Sequence, residues 1–113
     1  MGFFSPDLGE LVNAFNRAVE HKTEPTDNVV DLDITVRVRL YGRQDDKQRD
    51  WKQLCGSHCQ WATIGTDPPQ IFGDLREVDG ELFVNPVMLG HELLHVLKLK
   101  DPRLKDPDSY EGL

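Results

Sequence analysis

The chain has 113 residues and a mass of 12.9 kDa, with 38% hydrophobic and 29% charged residues, which is ordinary globular composition for a single domain. That length excludes a barrel or a dinucleotide fold with two nucleotide-binding halves. Thirteen Lys plus Arg against twenty Asp plus Glu give a net charge of −7 and an isoelectric point near 4.9, so neither nucleic acid nor an anionic membrane surface is an expected partner.

In chain order, Ser5-Pro6-Asp7 carries a capping side chain, a first-turn proline and an acid for the helix dipole. Leu8, Leu11, Val12, Phe15, Ala18 and Val19 follow at three- and four-residue spacing, which predicts an amphipathic helix over 5–21. After a loop at 23–28, residues 30–41 alternate. Val30, Leu32, Ile34, Val36, Val38 and Leu40 share one side and predict a strand. Residues 42–50 read as a charged loop, 50–59 as a short helix weakened by Gly56, and 62–64 as a short strand before Asp67-Pro68-Pro69. Residues 71–78 read as extended. Asp79-Gly80 then marks a two-residue hairpin leading into a strand at 81–84. Asn85-Pro86 supplies an N-cap and a first-position proline for a second helix from Pro86 to about Lys98.

That second helix contains His91-Glu92-Leu93-Leu94-His95. Residues four apart lie one above the other on a helix, so both imidazoles reach one metal ion. Glu92 is rotated by about 100° from His91, so its carboxylate addresses an activated water as a base without being a ligand. A catalytic zinc site takes three protein ligands and keeps one position open. Asp101, six residues after His95, is the first candidate for the third. Asp106, Asp108 and Glu111 compete, although Pro102 and Pro107 leave little room for a further helix carrying Glu111.

The run from His91 to Asp101, HExxHxxKxxD, resembles the zincin metallopeptidases, and its spacing is similar to the metzincin branch. The resemblance covers about eleven residues and the strand-to-helix order before them. It implies zinc held by His91, His95 and Asp101, with Glu92 as general base and acid in peptide-bond hydrolysis. Lys98 stands where the branch has a glycine, and no methionine follows Met88, so the general zincin pattern is the better match. The expected fold is α+β: a minimal zincin-like domain spanning 1–113, with the N-terminal helix and the HExxH helix packed on one face of a small mixed or antiparallel sheet. One strand within 71–84 is expected to pair with an extended peptide or protein substrate. The competing function is a zincin-scaffold module that binds metal or protein without catalysis.

Cys55-Gly56-Ser57-His58-Cys59 offers three ligands where a structural zinc site takes four, and reads as two reduced thiols beside a histidine. Tyr110 is a candidate oxyanion donor, with a packed or exposed aromatic the simpler reading. Two cysteines are too few for a disulfide framework, no segment approaches the roughly 20 apolar residues of a membrane span, and 1–6 lacks the pattern of a secretory signal. These features lead to the expectation of a cytoplasmic protein. The sequence leaves the oligomeric state open.

Overall fold

The computed structural model describes residues 8–20, 23–55 and 60–112. Ser5-Pro6-Asp7 and residues 56–59 of the cysteine cluster lie outside the described residues. The architecture is mixed α+β. Helix α1 (Leu8–Glu20) is followed by β1 (Arg37–Tyr41), α2 (Gln44–Asp50), α3 (Lys52–Cys55), β2 (Ala62–Ile64), β3 (Gln70–Asp74), β4 (Arg76–Val78), β5 (Glu81–Phe83), α4 (Pro86–Lys100) and a C-terminal 3₁₀ helix (Pro107–Gly112). No helix among the described residues is long and apolar enough to cross a membrane.

Three strands form one sheet in the order β1-β3-β2, and β4-β5 form a separate hairpin. β1 runs parallel to β3, with Val38 beside Ile71 and Tyr41 beside Asp74, while β2 is antiparallel, with Thr63 beside Ile71. The alternating stretch at 30–41 pairs only from Arg37 onward. Its ladder begins where the Arg37 N–H donates to the Pro69 carbonyl (3.0 Å), and Pro68-Pro69 have no N–H to extend it upstream. The alternation survives as burial without pairing: Leu32, Ile34 and Val36 are half-buried and Asp31, Asp33 and Thr35 exposed.

β3 is the centre of the core, with Ile71 and Phe72 both at 0% exposure. Successive strand residues face opposite sides, so Phe72 and Asp74 look one way and Ile71 and Gly73 the other. On the first side the Trp51 ring stacks on Phe72 at 4.5 Å, and the Trp51 indole N–H donates to the Tyr41 hydroxyl (3.0 Å). On the same side α2 brings Lys47, itself fully buried, to Asp74. On the second side Trp61 lies flat against Gly73, and α4 packs across β2 and β3. The two helices expected to share one face of the sheet do not. α4 takes one face, α2 takes the other, and α1 packs against the 3₁₀ helix.

α2 is a helix where the sequence predicts a charged loop. Its inward residues, Gln44 and Lys47, are polar and both bond the Asp74 carboxylate, so the apolar periodicity that normally announces a buried helix face is missing. Asp45 and Asp46 in its first turn and Arg49 in its last complement the helix dipole. The extended run predicted over 71–78 divides at Leu75 into β3 and β4. Asp79 and Gly80 have φ of 51° and 81°, the two positive values that a primed hairpin turn demands.

Helix α4 starts as its sequence requires. The Asn85 side-chain oxygen accepts from Val87 N (3.0 Å) and Met88 N (3.1 Å), with Pro86 opening the first turn. It runs two residues past the expected end and stops at Asp101, whose backbone turns extended. There the Asp101 carboxylate accepts from the Arg103 backbone N–H (3.1 Å) and guanidinium (2.6 Å from Nη2). These Arg103 bonds, the side-chain ones foremost, hold the Asp101 carboxyl below its usual range.

A methyl group at position 73 would stand 2.2 Å from the Trp61 ring, so Gly73→Ala should cost about 1–3 kcal/mol by overpacking, read as a lower urea midpoint. A carboxylate with a lowered folded pKa contributes stability that is full above its unfolded value and is lost as pH falls through the folded one. Arg103→Leu should therefore lower the urea midpoint at neutral pH. The gap from wild type should close on acidification as Asp101 protonates in both proteins.

Candidate metal centre beside helix α4

Along α4, Met88, Glu92 and Val96 are buried at four-residue spacing and form the stripe that meets the sheet. His91 and His95 stand on the adjacent flank, their side chains 18% and 22% exposed, with ring centroids 5.1 Å apart. That flank faces the 3₁₀ helix. His91 Nε2 lies 2.8 Å from Asp108 Oδ1, and His95 Nε2 lies 3.2 Å from the same oxygen. One ligand atom from each of the three residues falls within 4.8 Å of the others. The Asp108 side chain is 66% exposed, so the group opens to solvent on the carboxylate side.

Asp106 shapes the turn that presents Asp108. Its Oδ1 accepts from the Asp108 N–H (2.9 Å), and its carbonyl accepts from the Ser109 N–H (3.0 Å) and hydroxyl (2.8 Å). The same Oδ1 lies 3.7 Å from His95 Nδ1, on the far side of the ring from Asp108. At that separation the carboxylate and the ring are an electrostatic contact rather than a hydrogen-bonded pair.

Asp101, the first sequence candidate for third ligand, is not brought into this group. Its carboxylate is engaged by Arg103 at the C-cap. α4 continues through Lys98 to Lys100, and Lys98 Nζ donates to the carbonyls of Pro102 (3.2 Å) and Leu104 (2.8 Å). The carboxylate that reaches both imidazoles comes instead from Asp108, one of the competing candidates. The side chains of Tyr110 and Glu111, and that of Cys55, lie outside the described part of the structure.

Glu92 is 5% exposed and bonded to the sheet. The Thr63 hydroxyl sits 2.9 Å from Glu92 Oε1 and 3.0 Å from the Glu92 carbonyl, tying α4 to β2. Sequence reasoning missed Thr63, because a threonine inside a three-residue strand carries no spacing signal. It also missed Asp106 as an organising residue, although an aspartate two residues before another polar residue is a common turn former.

Of the strands within 71–84, β3 has both edges paired, whereas β4 and β5 pair only with each other among the described residues, so each keeps one edge open to an extended peptide. β2 is the sheet edge beside α4, and its outer side pairs with no other strand among the described residues.

No protein-family model matches the chain, and no curated protein or solved structure is significantly similar to it.

Proposed function

We propose that the chain is a minimal zinc-dependent metallopeptidase of the zincin type, acting in the cytoplasm on peptide or protein substrates. The observation that carries the reading is the approach of Asp108, from the 3₁₀ helix, to His91 and His95 of the HExxH helix. Two imidazoles and one carboxylate suit zinc, and three protein donors with a solvent-open side fit a catalytic rather than a closed structural site. Bound there, the metal would supply Lewis-acid activation of water and of the scissile carbonyl.

The protein's own groups have separable tasks in this reading. His91, His95 and Asp108 would hold the ion, and Asp106 shapes the turn that presents Asp108. Glu92 accepts a proton from the attacking water and delivers it to the leaving amine, while Thr63 fixes the rotation of its carboxylate. The free side of β2, next to α4, offers backbone groups to an extended peptide.

The burial of Glu92 favours a second reading, a zincin-scaffold module that binds metal or protein without hydrolysis. A carboxylate held at 5% exposure against Thr63 also serves simply to join helix to sheet. Glu92→Gln separates the two. The amide oxygen still accepts from Thr63, so the fold and metal content should persist, and only a reaction that needs the charge should stop.

The experiment combines elemental analysis of the purified chain with hydrolysis of labelled casein. His95→Ala and Asp108→Ala should weaken zinc at least about tenfold, the usual scale for losing a donor or its support, while Asp101→Ala retains it. Glu92→Gln should retain zinc and lose hydrolysis by about 100-fold or more. Hydrolysis unchanged in Glu92→Gln would remove the catalytic reading. Zinc lost in Asp101→Ala but kept in Asp108→Ala would assign the third ligand to Asp101.

A further inference from the structure

The two ends of the described chain meet beside the metal group. α1 is thirteen residues long, and an isolated helix of that length is marginal in water, so its stability depends on what it packs against. That neighbour is the 3₁₀ helix. Of the apolar side chains of α1 that the structure describes, Val12 and Phe15 remain 47% and 55% exposed and contribute little burial.

The 3₁₀ helix is six residues long, packs against α4 as well as α1, and places the Asp108 carboxylate between the two imidazoles. Short 3₁₀ segments have poor internal hydrogen bonding and need outside anchors. Asp108 is such an anchor, and it is also a donor of the metal group. We propose that metal binding at His91, His95 and Asp108 clasps the 3₁₀ helix to α4 and thereby docks α1, so that α1 is released when the metal is withdrawn. The inference rests on the metal reading of the site but not on hydrolysis.

A ligand that binds the closed form better than the open one shifts the opening equilibrium by the ratio of the two affinities. Opening sacrifices one donor of three, so peptides covering Leu8–Glu20 should exchange amide hydrogens at least about tenfold more slowly with zinc than with chelator. The test is hydrogen exchange on the full chain with saturating zinc or with EDTA, in wild type, Asp108→Ala and Asp108→Asn. Native mass spectrometry of the same samples reports bound zinc. Slowing of α1 in wild type that disappears in both variants, with α4 exchange in EDTA unchanged by either substitution, is the expected result. Zinc bound to wild type without slowing of α1, or equal slowing in zinc-loaded variants, would overturn the clasp alone. Absence of bound zinc in wild type would overturn the clasp and the metal reading together. Slowing of α1 in a protein that hydrolyses nothing would leave the clasp standing and remove the peptidase.

Discussion

A lysine ammonium with no exposure to solvent sits at the middle of this small protein, and the arrangement around it follows from the need to compensate that charge. Lys47 is bonded to Asp74 at the end of the central strand and to the Gln60 carbonyl (2.7 Å) just before β2. The ion pair links α2, β3 and the approach to β2. Removing one partner of a buried pair typically costs about 3–5 kcal/mol, because the other charge is left uncompensated. Gln44 adds a second donor to Asp74 (2.9 Å), so the carboxylate is supported from one helical turn by two residues. With α2 fixed this way, Trp51 is carried over Phe72, and that face of the sheet is closed.

Closing that face with α2 leaves the other for α4, and the orientation of α4 decides what chemistry is available. Met88, Glu92 and Val96 turn to the sheet, so the histidines one position before Glu92 and one before Val96 turn to the flank. A motif residue is thereby spent on joining helix to sheet: Glu92 meets Thr63 at the boundary between core and metal group. A base in this position has a fixed carboxylate and little water around it. Both features suit proton transfer if a metal and substrate occupy the flank, and both equally suit a structural carboxylate. The isosteric amide distinguishes them because it changes charge without changing the bond to Thr63.

Much of the fold was legible where local chemistry acts alone. Asn85-Pro86 defines the start of α4, Asp79-Gly80 defines the hairpin, and the HExxH spacing brings its two imidazoles together within a helix. The failures share a physical origin in partners distant along the chain. The strand predicted from Val30 pairs only from Arg37, because the proline pair ahead of β3 cannot extend the ladder. α2 escaped notice because its buried face is made of Gln44 and Lys47, whose partner Asp74 lies 30 and 27 residues away. α1 was legible as an amphipathic helix, but its neighbour near the other end of the chain was not.

The third donor shows the same competition in miniature. Asp101 is nearest in sequence, yet a nearby cation, Arg103, takes its carboxylate at the helix end. Lys98 then spends its ammonium on two carbonyls of the following loop, pinning the path that leads on to Pro107. Asp108 lies beyond both, and among the described residues its carboxylate is paired with histidines rather than with lysine or arginine. Lys98 in the last turn of α4 and Arg103 just after it thus engage the nearer acceptors, and the farther carboxylate meets the imidazoles. Which carboxylate meets the imidazoles follows from the pairing of Asp101 with Arg103, and spacing from the second histidine is a poor guide to it.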